Sequence, residues 1–291
     1  MNESRNWVFL GDSLTEGVGS KRISHVAELA KHLRAHEFRL RRISRPNGHI
    51  NFNVAGLMNV EEGRHPAGLW LWNLACEGRT IESDFDWLPL IKALRPELVV
   101  VFRGSLESIV RPAMVFDGHW PWWVPAAWRS YSAMDPRCYL STSWWRRAKQ
   151  EALDRLKQRV RLQLLAQQGG KPMVDVEELT TSYQCLLRAL KEIKCRILMT
   201  SMLPVNSDMF PTSDRQFELV NNELRELSQR EQVDFLDWYS AFKRQMSNKE
   251  LYYRDGFHPN ATGAQVLAQE LFQYLRGPHH LYESQLHDRV S

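Results

Sequence analysis

The sequence predicts an α/β protein built on a parallel sheet of about five strands with helices on both faces. Three features of the chain lead to that class. Short apolar runs alternate with longer segments of helical period from the first residues to residue 276. One run, LVVVF at 98–102, is apolar at every position, as suits a strand covered on both faces. No internal repeat or low-complexity block interrupts the alternation.

The elements follow in order. A first strand is expected at 6–10, then a helix over 22–35, where Ile23, Val26, Ala27, Ala30 and Leu33 make one apolar stripe. The basic stretch 36–66, which contains Pro and Gly, takes no assignment. LWLWNLA at 69–75 reads as the second strand, with a helix near 83–95 and the third strand at 98–102. Residues 103–143, rich in Trp, Pro and Gly, break the rhythm. Two amphipathic patterns come next, at 144–168 and 174–193, parted by Gly169 and Gly170. They pack on the sheet in the simplest arrangement and form a dimer face in another. The fourth strand is CRILMTSM, 195–202, followed by a helix at 213–231, a fifth strand VDFLDW at 233–238, and a last helix at 261–276. This order implies a single domain over 1–276, with a large insertion at 103–148 and a polar tail, 277–291, expected to be mobile.

Composition excludes several classes. The chain has 291 residues, 43% of them hydrophobic and 25% charged, enough for a sizeable core. A net charge of +4 is too modest to imply nucleic-acid binding. No leader pattern and no run as long as a membrane span is visible, so a cytoplasmic protein is expected. The four cysteines, Cys76, Cys138, Cys185 and Cys195, lack a C-x-x-C pair and read as reduced thiols, neither a disulfide frame nor a zinc motif, although a Cys185–Cys195 bridge stays open. Between 32 and 45, Arg34, Arg39, Arg41, Arg42 and Arg45 face one acid, Glu37. Such a run is usually a solvated helix end; it can also attract a phosphate-bearing or carrier-linked substrate. Without interleaved aromatics it gives no reason to expect a nucleic-acid partner.

The carboxyl ends of parallel strands are where reactive residues gather. At the end of the first strand stands GDS, 11–13. Alone, this tripeptide is more often a helix cap than a nucleophile. A Walker loop and the G-x-S-x-G elbow both fail on spacing. A reactive serine needs a base, and the base an orienting group. Just before the last helix the chain reads YYRDGFHPN, where Asp255 and His258 are three apart and Gly256 permits a tight turn. Taken alone this too reads as a loop, with Asn260 or Thr262 capping the helix.

Together, GDSL at 11–14 and DGFHPN at 255–260 resemble the first and last blocks of the SGNH, or GDSL-type, hydrolases. The resemblance implies a flavodoxin-like three-layer α/β/α sandwich, with Ser13 as nucleophile, His258 as base and Asp255 orienting the histidine. It also implies an oxyanion hole from the backbone N–H groups of Ser13 and of Ala75, which stands at the expected glycine of NLACEGRT, 73–80. The third block departs from the family's G-x-N-D: in FRGSLESI, 102–109, Leu106 replaces the asparagine and Glu107 the aspartate. Arg103 or Ser105 is then the expected replacement donor, unless Arg103 simply pairs with an acid. Asp12, Trp120, Trp122 and Trp123 are the expected substrate contacts. Six of the eleven tryptophans, Trp120, Trp122, Trp123, Trp128, Trp144 and Trp145, form either a wall over the site or a small core of their own. The expected activity is hydrolysis of an O-acylated small molecule, a carbohydrate among the candidates, without metal or cofactor. The alternatives are an O-acyltransferase with the same triad and a binding module weakened by Leu106.

Overall fold

The computed structural model describes residues 5–19, 23–39, 68–138, 141–246 and 250–277. Arg41, Arg42 and Arg45 of the basic stretch and the tail beyond Gly277 lie outside them.

Six parallel strands form the sheet: β1 (Arg5–Gly11), β2 (His36–Arg39), β3 (Leu69–Asn73), β4 (Leu98–Phe102), β5 (Arg196–Thr200) and β6 (Asp234–Leu236). Their order is β2-β3-β1-β4-β5-β6. All five neighbouring pairs are parallel. Five of these strands are the ones expected, in flavodoxin-like order. The sixth, β2, lies in the unassigned stretch and adds an edge beyond β3. The order in which strands are added to the sheet reverses at β1, since β3 pairs on one side of it and β4 on the other. The crevice at such a switch point is where α/β sheets place their ligands.

The central strands follow from their apolar runs. All five residues of β4 are buried, as are Trp7 to Gly11 of β1. Helices flank the sheet in two packed groups. One comprises α1 (His25–Leu33), α6 (Trp238–Met246) and α7 (Ala261–Arg276); the other α2 (Leu88–Leu94), α4 (Val176–Glu192) and α5 (Ser213–Arg230), with a 3₁₀ helix at Ile81–Trp87. The expected helix at 83–95 thus divides in two. Pro89 stands at the start of α2, where its missing N–H costs nothing, but it could not continue an α-helix from the preceding turn.

Between Pro112 and Gly170 the chain makes an excursion, closed at its base by an antiparallel pairing of Arg111–Pro112 with Gly170–Lys171. Inside it, Met114, Val124, Met134 and Leu164 form a small core, with Trp120, Trp128 and Val160 packed on it. The helix expected at 144–168 is present as α3 (Trp144–Gln168), but no residue of it joins the main core. The expectation that it packs on the sheet is therefore corrected. Its buried residues are Lys157, Arg161 and Leu164, a face too narrow and too charged for a sheet surface.

Candidate active site

The first motif is held by sterics and by a cap. Gly11 ends β1 where the following turn folds back on it: a Cβ there would lie 2.0 Å from Thr15 Oγ1, so only glycine fits. Asp12, not Ser13, is the cap. Its Oδ1 accepts from Leu14 N–H at 2.9 Å, opening a single helical turn, Ser13–Glu16. Ser13 is left half-buried at the carboxyl end of β1.

The second motif is a tight loop. Gly256, at φ +66°, takes the left-handed turn between Asp255 and His258, and its carbonyl accepts from Asn206 N–H at 3.0 Å. Asp255 Oδ1 accepts from the N–H groups of Phe257 and His258, each at 3.1 Å. Asn260 caps α7, its Oδ1 accepting from Gly263 N–H. The capping expected of this loop and the Asp–His pairing therefore coexist.

These two motifs, at opposite ends of the sequence, meet. Asp255 Oδ2 lies 2.6 Å from His258 Nδ1, and Ser13 Oγ lies 2.9 Å from His258 Nε2. A carboxylate only accepts hydrogen bonds, so Nδ1 carries the imidazole proton and Nε2 accepts from the Ser13 hydroxyl. Asp255 is almost fully buried, while the His258 side chain keeps 16% of its exposure. Such a chain can lower the barrier to attack by a serine hydroxyl.

The other expected site residues are placed differently. Ala75 N–H donates to Asn73 Oδ1 at 3.2 Å, so it is already engaged and not free to serve as an oxyanion donor. Arg103 is fully buried and committed: Nε donates to Asp84 Oδ2 at 2.8 Å, Nη2 to Asp84 Oδ1, and Nη1 to the Arg79 carbonyl at 3.0 Å. Burial opposes its charge, but Asp84, Asp12 and Glu107 outweigh that and hold it ionised. It has the structural role of pairing with an acid. Ser105 is fully buried, and its hydroxyl has no hydrogen-bond partner among the described residues. Asp12, at 2% exposure, serves as a cap and not as a surface for substrate. Burial pushes its carboxyl above the usual range, against the pull of Arg103, Leu14 N–H and His258. Trp120 packs on the excursion's core, whereas Trp122 is 90% exposed and Trp123 also faces solvent.

Sequence reasoning missed a latch beneath the site. Glu107 Oε1 accepts from Ile81 N–H at 2.8 Å, and the Arg103–Asp84 pair ties the same 79–84 segment to the exit of β4. Tyr183 on α4 fixes that exit twice: its hydroxyl accepts from Arg103 N–H and donates to the Arg103 carbonyl. The excursion also reaches the triad loop. Arg254, beside Asp255, pairs with Asp154 of α3 at 2.6 Å and donates to the Arg137 carbonyl.

Comparison with known proteins agrees with this architecture. No curated protein sequence matches the chain. Among solved structures, the acetyl xylan esterase AlAXEase is 14% identical, with a TM-score of 0.52 over 93% of this chain and 99% of that one. A variant of Axe2, an acetyl-xylooligosaccharide esterase from Geobacillus stearothermophilus, is 14% identical with a TM-score of 0.53, over 97% and 100% of the two chains. LAE5, an α/β hydrolase from the metagenome of Lake Arreo, Spain, is 16% identical with a TM-score of 0.53, over 92% and 94%. At these identities the likeness is one of fold. The model of the GDSL-like lipase/acylhydrolase family matches residues 115–266, more than half of the chain and inclusive of Asp255 and His258. With that match added to the fold, the chain belongs to the GDSL-like lipase/acylhydrolase family and is a hydrolase of ester bonds.

Proposed function

We propose that the chain hydrolyses an O-acyl ester of a small molecule through an acyl-enzyme on Ser13. The observation that carries this reading is the hydrogen-bonded series Ser13–His258–Asp255. Ser13 Oγ gives its proton to His258 Nε2 as it attacks the ester carbonyl; Asp255 stabilises the imidazolium. Collapse of the tetrahedral intermediate expels the alcohol, which takes the proton from Nε2. Water, deprotonated by the same nitrogen, then releases the acid and restores Ser13.

Of the expected oxyanion donors, the Ser13 N–H remains, because Ala75 and Arg103 are engaged and Ser105 is buried. Two of the solved neighbours are described as an acetyl xylan esterase and an acetyl-xylooligosaccharide esterase. Acetyl groups on sugar hydroxyls are accordingly the first substrates to test. Transfer to another alcohol calls for exclusion of water. Trp122, Trp144 and Trp145 are 90%, 65% and 76% exposed, which favours hydrolysis over a tryptophan-lidded transferase.

A fluorophosphonate probe should label Ser13 in the folded protein, and Ser13→Ala should abolish both labelling and turnover of a panel of acetyl and longer-chain esters. Hydrolysis undiminished in Ser13→Ala would refute the mechanism. Free acid should be the acyl product with or without added alcohols.

A further inference from the structure

We propose that Cys138, Asp255 and His258 form a reversible inhibitory site for a thiophilic divalent cation, zinc foremost. The inhibitory part rests on the reading of His258 as the base; the binding part does not. Cys138 Sγ, a carboxylate oxygen of Asp255 and a ring nitrogen of His258 all lie within 4.8 Å of one another. No other three His, Cys, Asp or Glu side chains converge in this way among the described residues.

The cysteine is held there from two sides. A Cβ added at Gly19, in the turn after Ser13, would lie 3.2 Å from Cys138 Sγ and 3.1 Å from the Tyr253 ring, so the thiol is wedged between that turn and the triad loop. The Arg254 contacts with Asp154 and with the Arg137 carbonyl brace the neighbouring chain against the same loop.

The donor set suits zinc. Thiolate, imidazole and carboxylate are its ordinary ligands, and three protein ligands leave a fourth position for water. The three atoms already lie within 4.8 Å of one another, so a side-chain adjustment brings them to zinc–ligand bonds of about 2.0 to 2.3 Å. The cation's two charges are matched by the thiolate and the carboxylate, and the thiol proton leaves to solvent on binding. Cys138 and Asp255 are buried, but the partly exposed His258 ring gives a path from solvent. Bound at Nε2, the ion displaces the Ser13 hydroxyl; bound at Nδ1, whose proton moves to Nε2, it displaces the Asp255 hydrogen bond. Either way His258 stops acting as a base.

The test uses the full chain with cadmium and zinc as probes. Cadmium titration should give a sulfur-to-metal charge-transfer band that saturates at one equivalent in the wild type and in Ser13→Ala. The band should vanish in Cys138→Ala and weaken in His258→Ala, each variant being checked for folding by circular dichroism. Zinc should inhibit ester hydrolysis reversibly, with chelator restoring it, and Cys138→Ala should raise the inhibitory concentration by about tenfold or more while keeping basal turnover. Cys138→Ser serves if the alanine variant fails to fold. A band that persists without Cys138 would arise from Cys76, Cys185 or Cys195 and would overturn the site, as would equal zinc inhibition in wild type and variant. Failure of the catalytic reading shows separately, as absent fluorophosphonate labelling with cadmium binding intact.

Discussion

Two side chains at the exit of β4 set local expectations that can be measured. Leu106, where the family pattern has an asparagine, offers no donor to a developing oxyanion, and one such donor is worth about 10² to 10³ in rate. Leu106→Asn should therefore raise kcat on a fast ester, by up to about a hundredfold if the amide reaches the oxyanion. An unchanged kcat in a folded variant would show that this position faces away from it. Its neighbour Glu107 is 1% exposed; one oxygen accepts from Ile81 N–H and the other has no partner among the described residues. Burial, only partly offset by that N–H and by Arg103, raises its carboxyl from the ordinary 4.5 to about 7. Between those values the folded chain holds a proton that the unfolded chain has released, so stability falls as pH rises through this window. Above it the buried carboxylate costs on the order of 3 kcal/mol. Glu107→Gln should thus match the wild type at about pH 4, below the window, and exceed its unfolding free energy at about pH 8. Denaturant unfolding at the two pH values checks this, and a pH-independent difference would refute it.

At the level of elements, the 3₁₀ helix Ile81–Trp87 and the exit of β4 are joined by a buried ion pair. Arg103 and Asp84 are both fully buried, and each guanidinium–carboxylate contact replaces hydration lost on folding. Removing one partner strands the other charge, so Asp84→Asn should destabilise the chain by about 3–5 kcal/mol. Replacing both, as Asp84→Leu with Arg103→Leu, should recover most of that, because an apolar pair carries no desolvation penalty. A double variant as unstable as the single would mean that the pair shapes the backbone beyond its charge. These elements also show what a sequence reveals. β4, β1 and α7 were legible because burial on both faces, or on one helical stripe, imposes its own pattern. β2, HEFR, was not: among the described residues it is a short edge strand paired on one side only, and polar residues there carry no burial signal. α3 was legible as a helix, while its packing partner was not, since Lys157 and Arg161 are buried along with Leu164.

Over the whole molecule, the candidate triad joins residues 245 positions apart, which was legible only because each half carries a recognisable block beside a predictable element. The approach of Cys138 and the latch through Asp84 and Glu107 had no such signature; they exist only once the excursion and the 79–84 segment are folded against the sheet. This division of labour has a mechanical consequence. The sheet's core positions Ser13, whereas the loop bearing Asp255 and His258 is also braced from the excursion by the Asp154–Arg254 pair. Leu164 is fully buried in the excursion's separate small core, so Leu164→Ala should cost about 2–5 kcal/mol there. Because that core shares no residue with the main one, the loss should appear as early melting of the excursion ahead of the sheet. Tryptophan fluorescence reports that first step, since Trp120 and Trp128 pack on this core. If the sheet alone holds the triad, fluorophosphonate labelling of Ser13 will persist past the fluorescence transition and disappear only with the main unfolding. Loss of labelling in step with the fluorescence change would instead make the excursion part of what keeps His258 against Ser13. Asp154→Ala, which removes the brace and leaves the small core whole, separates the two: under the first outcome it changes labelling little, and under the second it slows labelling without moving the fluorescence transition.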